Sequence, residues 1–309
     1  YHQHAKLHPL ILRILKWWRQ CYCAYQKVRV FFSYRISNCF SLKVYMFKSL
    51  KVFENDYFCQ TKSKKLRYFI EFAYNGKEYF GFQVQPNAIS IQETLDKSLS
   101  LLLREKIEIV GAGRTDSGVH AKQMFAHFDT EIEFDIPNTI QKLNSFLPKD
   151  IAIFNIIEVK PDAHARFDAT SRTYEYHINT FKDVFNADGS WKVHHKLDLD
   201  LMNEASKMLF EYIDFECFSK IHTDVKTFNC KITEAHWQQN GNQIIFTITA
   251  DRFLRNMVRA IVGTLINVGI HKTSLSDFRD IIESKSRNKA GFSVPAHGLY
   301  LTKVKYFYF

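Results

Sequence analysis

No run of the 309 residues is both long enough and free enough of charge to cross a bilayer. The stretch LHPLILRILKWW (7–18) is interrupted by Arg13 and Lys16 and carries no small-residue cleavage site of the secretory type. A spanning segment is therefore excluded there, and a basic helix lying on a membrane surface is the alternative reading of that stretch. The main body also lacks cysteine pairs. Cys217 and Cys230 stand alone, and Cys21, Cys23, Cys39 and Cys59 all fall within residues 1–63. That pattern excludes a disulfide framework or a cysteine-built metal site beyond residue 63, and makes a reduced, cytoplasmic protein the default. A charge surplus is missing as well. The formal net charge is +10, but residues 1–63 hold 11 of the 42 lysines and arginines and 2 of the 32 acidic residues, leaving 31 basic against 30 acidic residues in the rest. Any nucleic-acid partner must be met by a local basic face and not by overall charge.

Residues 1–63 also hold two of the four tryptophans, and the first methionine is Met46. The reading adopted is that 1–45 is upstream sequence translated ahead of a native start at Met46. Residues 1–63 are then a basic, aromatic-rich extension, non-native or disordered.

What is present from Leu66 onward is regular. LRYFIEFA (66–73) is a β-type run closed by Asn75-Gly76. Ser90 and Glu93 form a capping-box pattern ahead of Ile91, Leu95, Leu99 and Leu102, which predicts an amphipathic helix over 91–104. Strands are expected over 106–113, 122–130 and 150–159, with a helix at 136–147 carrying Pro137 in its first turn. The order then repeats: a strand at 171–179, a helix at 199–210, and strands at 230–239 and 243–250 around the turn Asn240-Gly241-Asn242. A helix at 253–269, a second starting near Ser274 and a strand at 299–307 complete it. The expectation is an α+β protein of two tandem ferredoxin-like (β-α-β-β-α-β) halves, 64–163 and 164–309, with antiparallel sheets and the active-site cleft between them.

The segment GAGRTDSGVHA (111–121) carries the most chemistry. Gly111 and Gly113 follow a strand as in a dinucleotide fingerprint, but Asp116 takes the third glycine position, a strand follows and no Gly-Lys-Ser/Thr occurs. A nucleotide-cofactor loop is excluded. What remains is an acid beside Arg114 on a loop between two strands; taken alone it reads as a turn cap as readily as a catalytic group. His120 is read as a structural hydrogen-bonding residue, and His194-His195 and 285–289 as solvated loops, with basic residues of the latter as candidates for phosphate contact.

GAGRTDSGVHA resembles the signature of the TruA-type tRNA pseudouridine synthases. SRTYEY (171–176), FLRNMVRAIVGTL (253–265) and PAHGLYL (295–301) resemble that family's other three motifs, in family order. The resemblance spans about 66–307 and implies Asp116 as the essential carboxylate, Arg259 as its charge partner, and Tyr174 stacked on the target base and assisting proton removal at C5. It further implies Arg114 and Arg172 at the RNA, Gly298 and Leu299 lining the pocket, and no metal or cofactor. The implied substrate is a uridine at positions 38–40 in the anticodon stem-loop of tRNA, isomerised by a homodimer. Tyr174, read without the resemblance, is more often a core aromatic. Arg259 lies on an apolar helix and needs a partner, which Asp116 supplies. Lys77, Lys122 and Lys142 are candidates for a basic face. Three rivals remain: a related synthase acting elsewhere in RNA, a non-catalytic RNA-binding module without an RNP1 string to support it, and a carboxylate hydrolase lacking an evident second acid.

Overall fold

Strand β1 (Leu66–Tyr74) lies between two antiparallel neighbours, β3 (His120–Thr130) and β4 (Ile151–Val159). The computed structural model describes residues 65–184, 187–220 and 225–308, and the chain divides into two units, Tyr1–Lys62 and Ser63–Phe309. The proposed start at Met46 and the surface-helix reading of 7–18 lie outside the described residues. Among those residues no helix is long and apolar enough to cross a membrane.

Helix α1 (Ile91–Leu103) starts where the Ser90 side chain accepts from Glu93 N, and Ile91, Leu95, Leu99 and Leu103 are buried at helical spacing. The reciprocal half of the expected capping box is replaced by an ion pair between Glu93 and Lys97. The strand expected over 106–113 contracts to β2 (Val110–Gly111). Its donors are taken by α1: Ile107 N donates to Ser100 Oγ (2.8 Å) and Ile109 N to Asp96 Oδ1 (2.8 Å), so no ladder forms before Val110. Helix α2 (Ile136–Phe146), capped by Asp135, buries only Thr139 and Leu143.

The second series runs β5 (Ser171–Asn179), β6 (Trp191–Lys192), α3 (Leu199–Met208), β7 (Ile232–Asn240), β8 (Gln243–Ala250), α4 (Met257–Gly269), α5 (Leu275–Glu283) and β9 (Leu299–Lys305). The β7–β8 hairpin pairs Asn240 with Gln243, so its turn is the two residues Gly241-Asn242. Helix α4 starts four residues later than the pattern suggests, because Asn256, at the N-cap position, adopts a left-handed conformation (φ 66°) that ends the approach. Arg255 therefore lies before α4 and not one turn below Arg259 on it.

The architecture is mixed α+β with one mostly antiparallel sheet, ordered β4-β1-β3-β9-β5-β8-β7, with β2 on β3 and β6 on β5. The two antiparallel sets expected from sequence are present, but they fuse into a single sheet through a short parallel seam where His120 faces Tyr300 and Ala121 faces Leu301. One core packs α1 and α2 with β1, β3 and β4; the other packs α3, α4 and α5 with β5, β7 and β8. Both cores reach the seam, which fixes the β2–β3 connection against the elements that flank β9.

Candidate active site

Asp116 sits at the tip of the β2–β3 connection. The loop is held from below by the 76–82 segment: Phe82 N donates to Thr115 O (3.3 Å), and Gly118 N and Ser117 Oγ both donate to Tyr79 O (3.3 Å each). Tyr74 and Thr115 share a hydroxyl hydrogen bond at 2.8 Å. Val119 N returns to Asp116 O at 3.2 Å, closing a turn that needs Gly118 at φ +77°. The sequence GRTDSG thus fixes the backbone on both sides of the acid and leaves its side chain to face outward.

Two guanidiniums meet that side chain. Arg259, in the first turn of α4, approaches Asp116 Oδ2 through Nη1 at 3.3 Å, while its Nε donates to Val294 O at 2.7 Å. The second bond fixes the direction of the first. Arg255 comes within 3.9 Å of Oδ1, but its side chain is 60% exposed against 20% for Arg259, so water screens it more strongly. Tyr174, on β5, packs edge-to-face against Phe253 at 5.2 Å between ring centres. Burial, with the charge of Asp116 adding to it, pushes its phenol up to about 12.

These groups line one cleft of about 2010 Å³, about twice the upper end of the roughly 300–1,000 Å³ of a small-molecule site. Its walls carry nine lysines and arginines and two acids, Asp116 and Asp251. In a body whose overall charge nearly cancels, that concentration is the basic face the composition required.

Asp116, Arg114, Arg172, Tyr174, Arg259 and Leu299 all line this cleft. Gly298 does not: it is buried against Tyr176, and a Cβ there would come within 2.8 Å of the Tyr176 ring, so close packing explains the glycine. Arg172, expected at the RNA, donates instead to four backbone carbonyls, those of Ala112, Arg166, Ala169 and Asp251. It ties β5 to the root of the Asp116 loop. Lys77 pairs with Asp188 and Lys122 with Glu175, Lys142 is exposed elsewhere, and none of the three is on the cleft wall. The wall is built largely from arginines: Arg287 lies in the 285–289 segment already read as holding candidate phosphate contacts, whereas Arg166, Arg252 and Arg255 were passed over as contacts. Their only local signal is the density of arginine around the second and third motifs.

His120 is structural, as expected: Nδ1 accepts from Gly76 N at 3.0 Å and Nε2 bonds His297 O at 3.1 Å, and burial lowers its basicity. His194 and His195 are exposed. Among the described residues no three His, Cys, Asp or Glu side chains gather as a metal-donor set.

The family described as tRNA pseudouridine synthase matches residues 71–168 and 210–307. The tRNA pseudouridine synthase A of Parabacteroides distasonis is 56% identical over 241 residues, which cover 78% of this chain and 96% of that protein. The protein of the same name from Bacteroides fragilis is 56% identical over 242 residues, with the same coverage. That from Clostridium acetobutylicum is 41% identical over 235 residues, covering 75% of this chain and 96% of the other. A match over most of residues 71–307, at identities this high, leaves one conclusion: the chain belongs to the tRNA pseudouridine synthase family.

Proposed function

We propose that this protein isomerises uridine to pseudouridine in the anticodon arm of tRNA, at positions 38–40, with Asp116 as the catalytic carboxylate. In this reaction the bond from uracil N1 to C1′ breaks, the base turns, a bond from C5 to C1′ forms, the C5 proton is lost and N1 takes up a proton. Atoms and electrons balance without an oxidant or a leaving group. The observation that carries the reading is the Asp116–Arg259 pair (3.3 Å) in a cleft walled by nine cationic side chains. Asp116 acts on the ribose, as nucleophile at C1′ or base at C2′, and both routes need a carboxylate that is ionised and aimed. Arg259 aims it. The uridine reaches it by leaving its stack, and the Tyr174 ring receives the flipped base. With its phenol pushed up to about 12, Tyr174 stays protonated near neutral pH, which favours stacking over proton abstraction. Arg114 contacts the RNA near the flipped nucleotide, Leu299 closes the pocket wall, and Arg172 positions the loop from behind.

The same reading takes residues 64–163 and 164–309 as two ferredoxin-like halves. The strand orders β4-β1-β3-β2 and β9-β5-β8-β7 support it, as do the two family-matched segments. The homodimer and the cytoplasmic location complete the proposal; sedimentation at micromolar concentration tests the first and fractionation the second.

The test is release of tritium from tRNA labelled at uridine C5. The full chain should release it from the anticodon arm. Asp116→Asn should lose at least about a thousandfold in rate while binding tRNA within about threefold, since phosphate contacts carry most of the affinity. Release mapping to another arm would make this a related synthase of different specificity. Binding without release by the wild type would leave an RNA-binding module.

A further inference from the structure

Three phenylalanines on the cleft wall, Phe80, Phe292 and most of all Phe167, have an exposure that their chemistry opposes. Phe167 is 74% exposed, on the chain segment that joins β4 to β5, and it lines the same cleft as Asp116. An isolated surface phenylalanine is common, but the turn that carries this one is bonded at almost every step. Asp168 N donates to His164 O (3.0 Å) and His164 N to Asp168 Oδ2 (2.7 Å). His164 Nδ1 accepts from both Arg166 N (3.1 Å) and Phe167 N (3.3 Å). Ala165 is clamped from two sides, its N–H donating to His127 Nδ1 (3.2 Å) and its carbonyl accepting from Tyr306 Oη (2.6 Å). The Arg166 carbonyl accepts from Arg172 Nη2 (2.6 Å), and the same guanidinium nitrogen holds Ala112 O at the root of the Asp116 loop. Residues 164–168 are therefore a rigid mount, connected through Arg172 to the loop of the catalytic acid.

The mount supports a π-surface. The His164 ring packs at 4.3 Å from the Phe167 ring, and the Arg166 guanidinium lies 5.7 Å from the same ring's centre. An aromatic ring held by an imidazole and a guanidinium, beside a wall of cations, has the composition of a nucleobase stacking site: cations take the phosphates and the ring takes a base face. A hydrophobic plug would be buried among apolar side chains, whereas this ring is 74% exposed.

We propose that Phe167 is the stacking platform for a nucleobase of the bound RNA, one left without its neighbour when the target uridine is withdrawn from the stack. The inference rests on the function proposed above and adds a specificity-determining contact to it. Phe167 acts on binding and register and takes no part in bond making. Arg166 steers the phosphate on the same nucleotide, and Arg172 keeps the platform at a fixed offset from Asp116.

The experiment compares Phe167→Ala, Phe167→Leu and Phe167→Trp in the full chain, by tritium release and by direct binding. Binding is read from the fluorescence of an anticodon stem-loop carrying 2-aminopurine beside the target uridine, in an Asp116→Asn background so that no turnover intervenes. Loss of one stacked base corresponds to roughly 5- to 150-fold in affinity. Phe167→Ala and Phe167→Leu should each raise KM and Kd tenfold or more, with kcat changing less than about threefold, and Phe167→Trp should stay within threefold of wild type. Wild-type affinity in Phe167→Leu would overturn the proposal, because an apolar contact would then suffice. An unchanged Kd in Phe167→Ala would overturn it too, as would a fall in Tm above about 5 °C, which would make the ring a structural plug. If wild type binds the stem-loop yet releases no tritium, the isomerase reading fails. The stacking site then still stands or falls on the binding of the three variants.

Discussion

The two series of elements, 66–159 and 171–305, share an order and a strand arrangement but differ at two corresponding places. In the first, the connection between the second and third strands is the long, glycine-bearing loop that holds Asp116; in the second it is the two-residue turn Gly241-Asn242. In the first, the second helix buries two of its 11 residues; in the second, α4 buries 11 of its 13. One half has lengthened a hairpin loop, the other has drawn a helix into its core, and the site consists of the loop of the former and Arg259 from the latter. A guanidinium at the start of so buried a helix has few ways to point, which makes α4 a better support for an ion pair than α2.

The sharpest way to break this division is at Arg259. Arg259→Ala leaves Asp116 with Arg255, which is farther and 60% exposed. The expected result is a fall in kcat of about 100-fold, equivalent to about 2.7 kcal/mol, with KM within threefold. Arg259→Lys should recover only part of the loss, since an ammonium cannot hold Val294 O and Asp116 in the two directions the guanidinium uses. Steady-state tritium release measures both variants.

Acid should separate the halves next. His127, on β3, is buried with its Nδ1 accepting from Ala165 N, so it must be neutral in the fold. Burial, aided by His164 and Arg67 and opposed by Asp129 and Asp168, brings it down to about 4. The unfolded chain titrates near 6.5, so it binds the extra proton first, and stability falls as the pH drops from about 6.5 toward 4. The cost is on the order of 2 kcal/mol. Hydrogen exchange at pH 5 against pH 7 should show β1 and β3 losing protection before β7 and β8. His127→Asn, whose Oδ1 can replace the acceptor, should flatten that difference.

Much of this framework is readable from the sequence, because its signals are local. Strand β5 occupies its expected range, and α1, α2 and α5 start within a residue of their caps. The features that could not be read depend on bonds between distant residues. The loss of most of the second strand depends on Asp96 and Ser100 of α1 taking the donors of Ile109 and Ile107. Arg172 reaches carbonyls as far as 79 positions away, so its spacing beside Tyr174 resembles that of a substrate contact. Asn256 is of a type that tolerates the left-handed region, but the apolar spacing of 253–269 runs straight through it and hides the turn, and with that turn goes the position of Arg255. Asp116 itself was legible as an acid in a constrained loop; its partner at 143 positions' distance was legible only through the family motifs.

The corresponding glycines sharpen the comparison at smaller cost. Gly118 and Gly241 both have positive φ, +77° and +61°, and a Cβ on either meets no closer neighbour than 3.5 Å. Alanine at each should therefore cost about 1 kcal/mol of backbone strain, read as a similar drop in denaturation midpoint. Activity should diverge: Gly241→Ala keeps kcat, whereas Gly118→Ala shifts the turn next to Asp116 and lowers it several-fold.

The smallest effect tests whether both halves meet the RNA. Arg114 belongs to the loop of the first half and Arg252 to the approach to α4 in the second, and both line the cleft. If each neutralises one phosphate, Arg114→Ala and Arg252→Ala should each lower the slope of log K against log salt by about 0.7–0.9, and the double variant by about twice that. Lys142, exposed and off the cleft wall, supplies the control, and Lys142→Ala should leave the slope unchanged. A change confined to one of the two arginines would mean that one half binds the tRNA while the other only supplies Arg259, a sharper division of labour than shared strand order suggests.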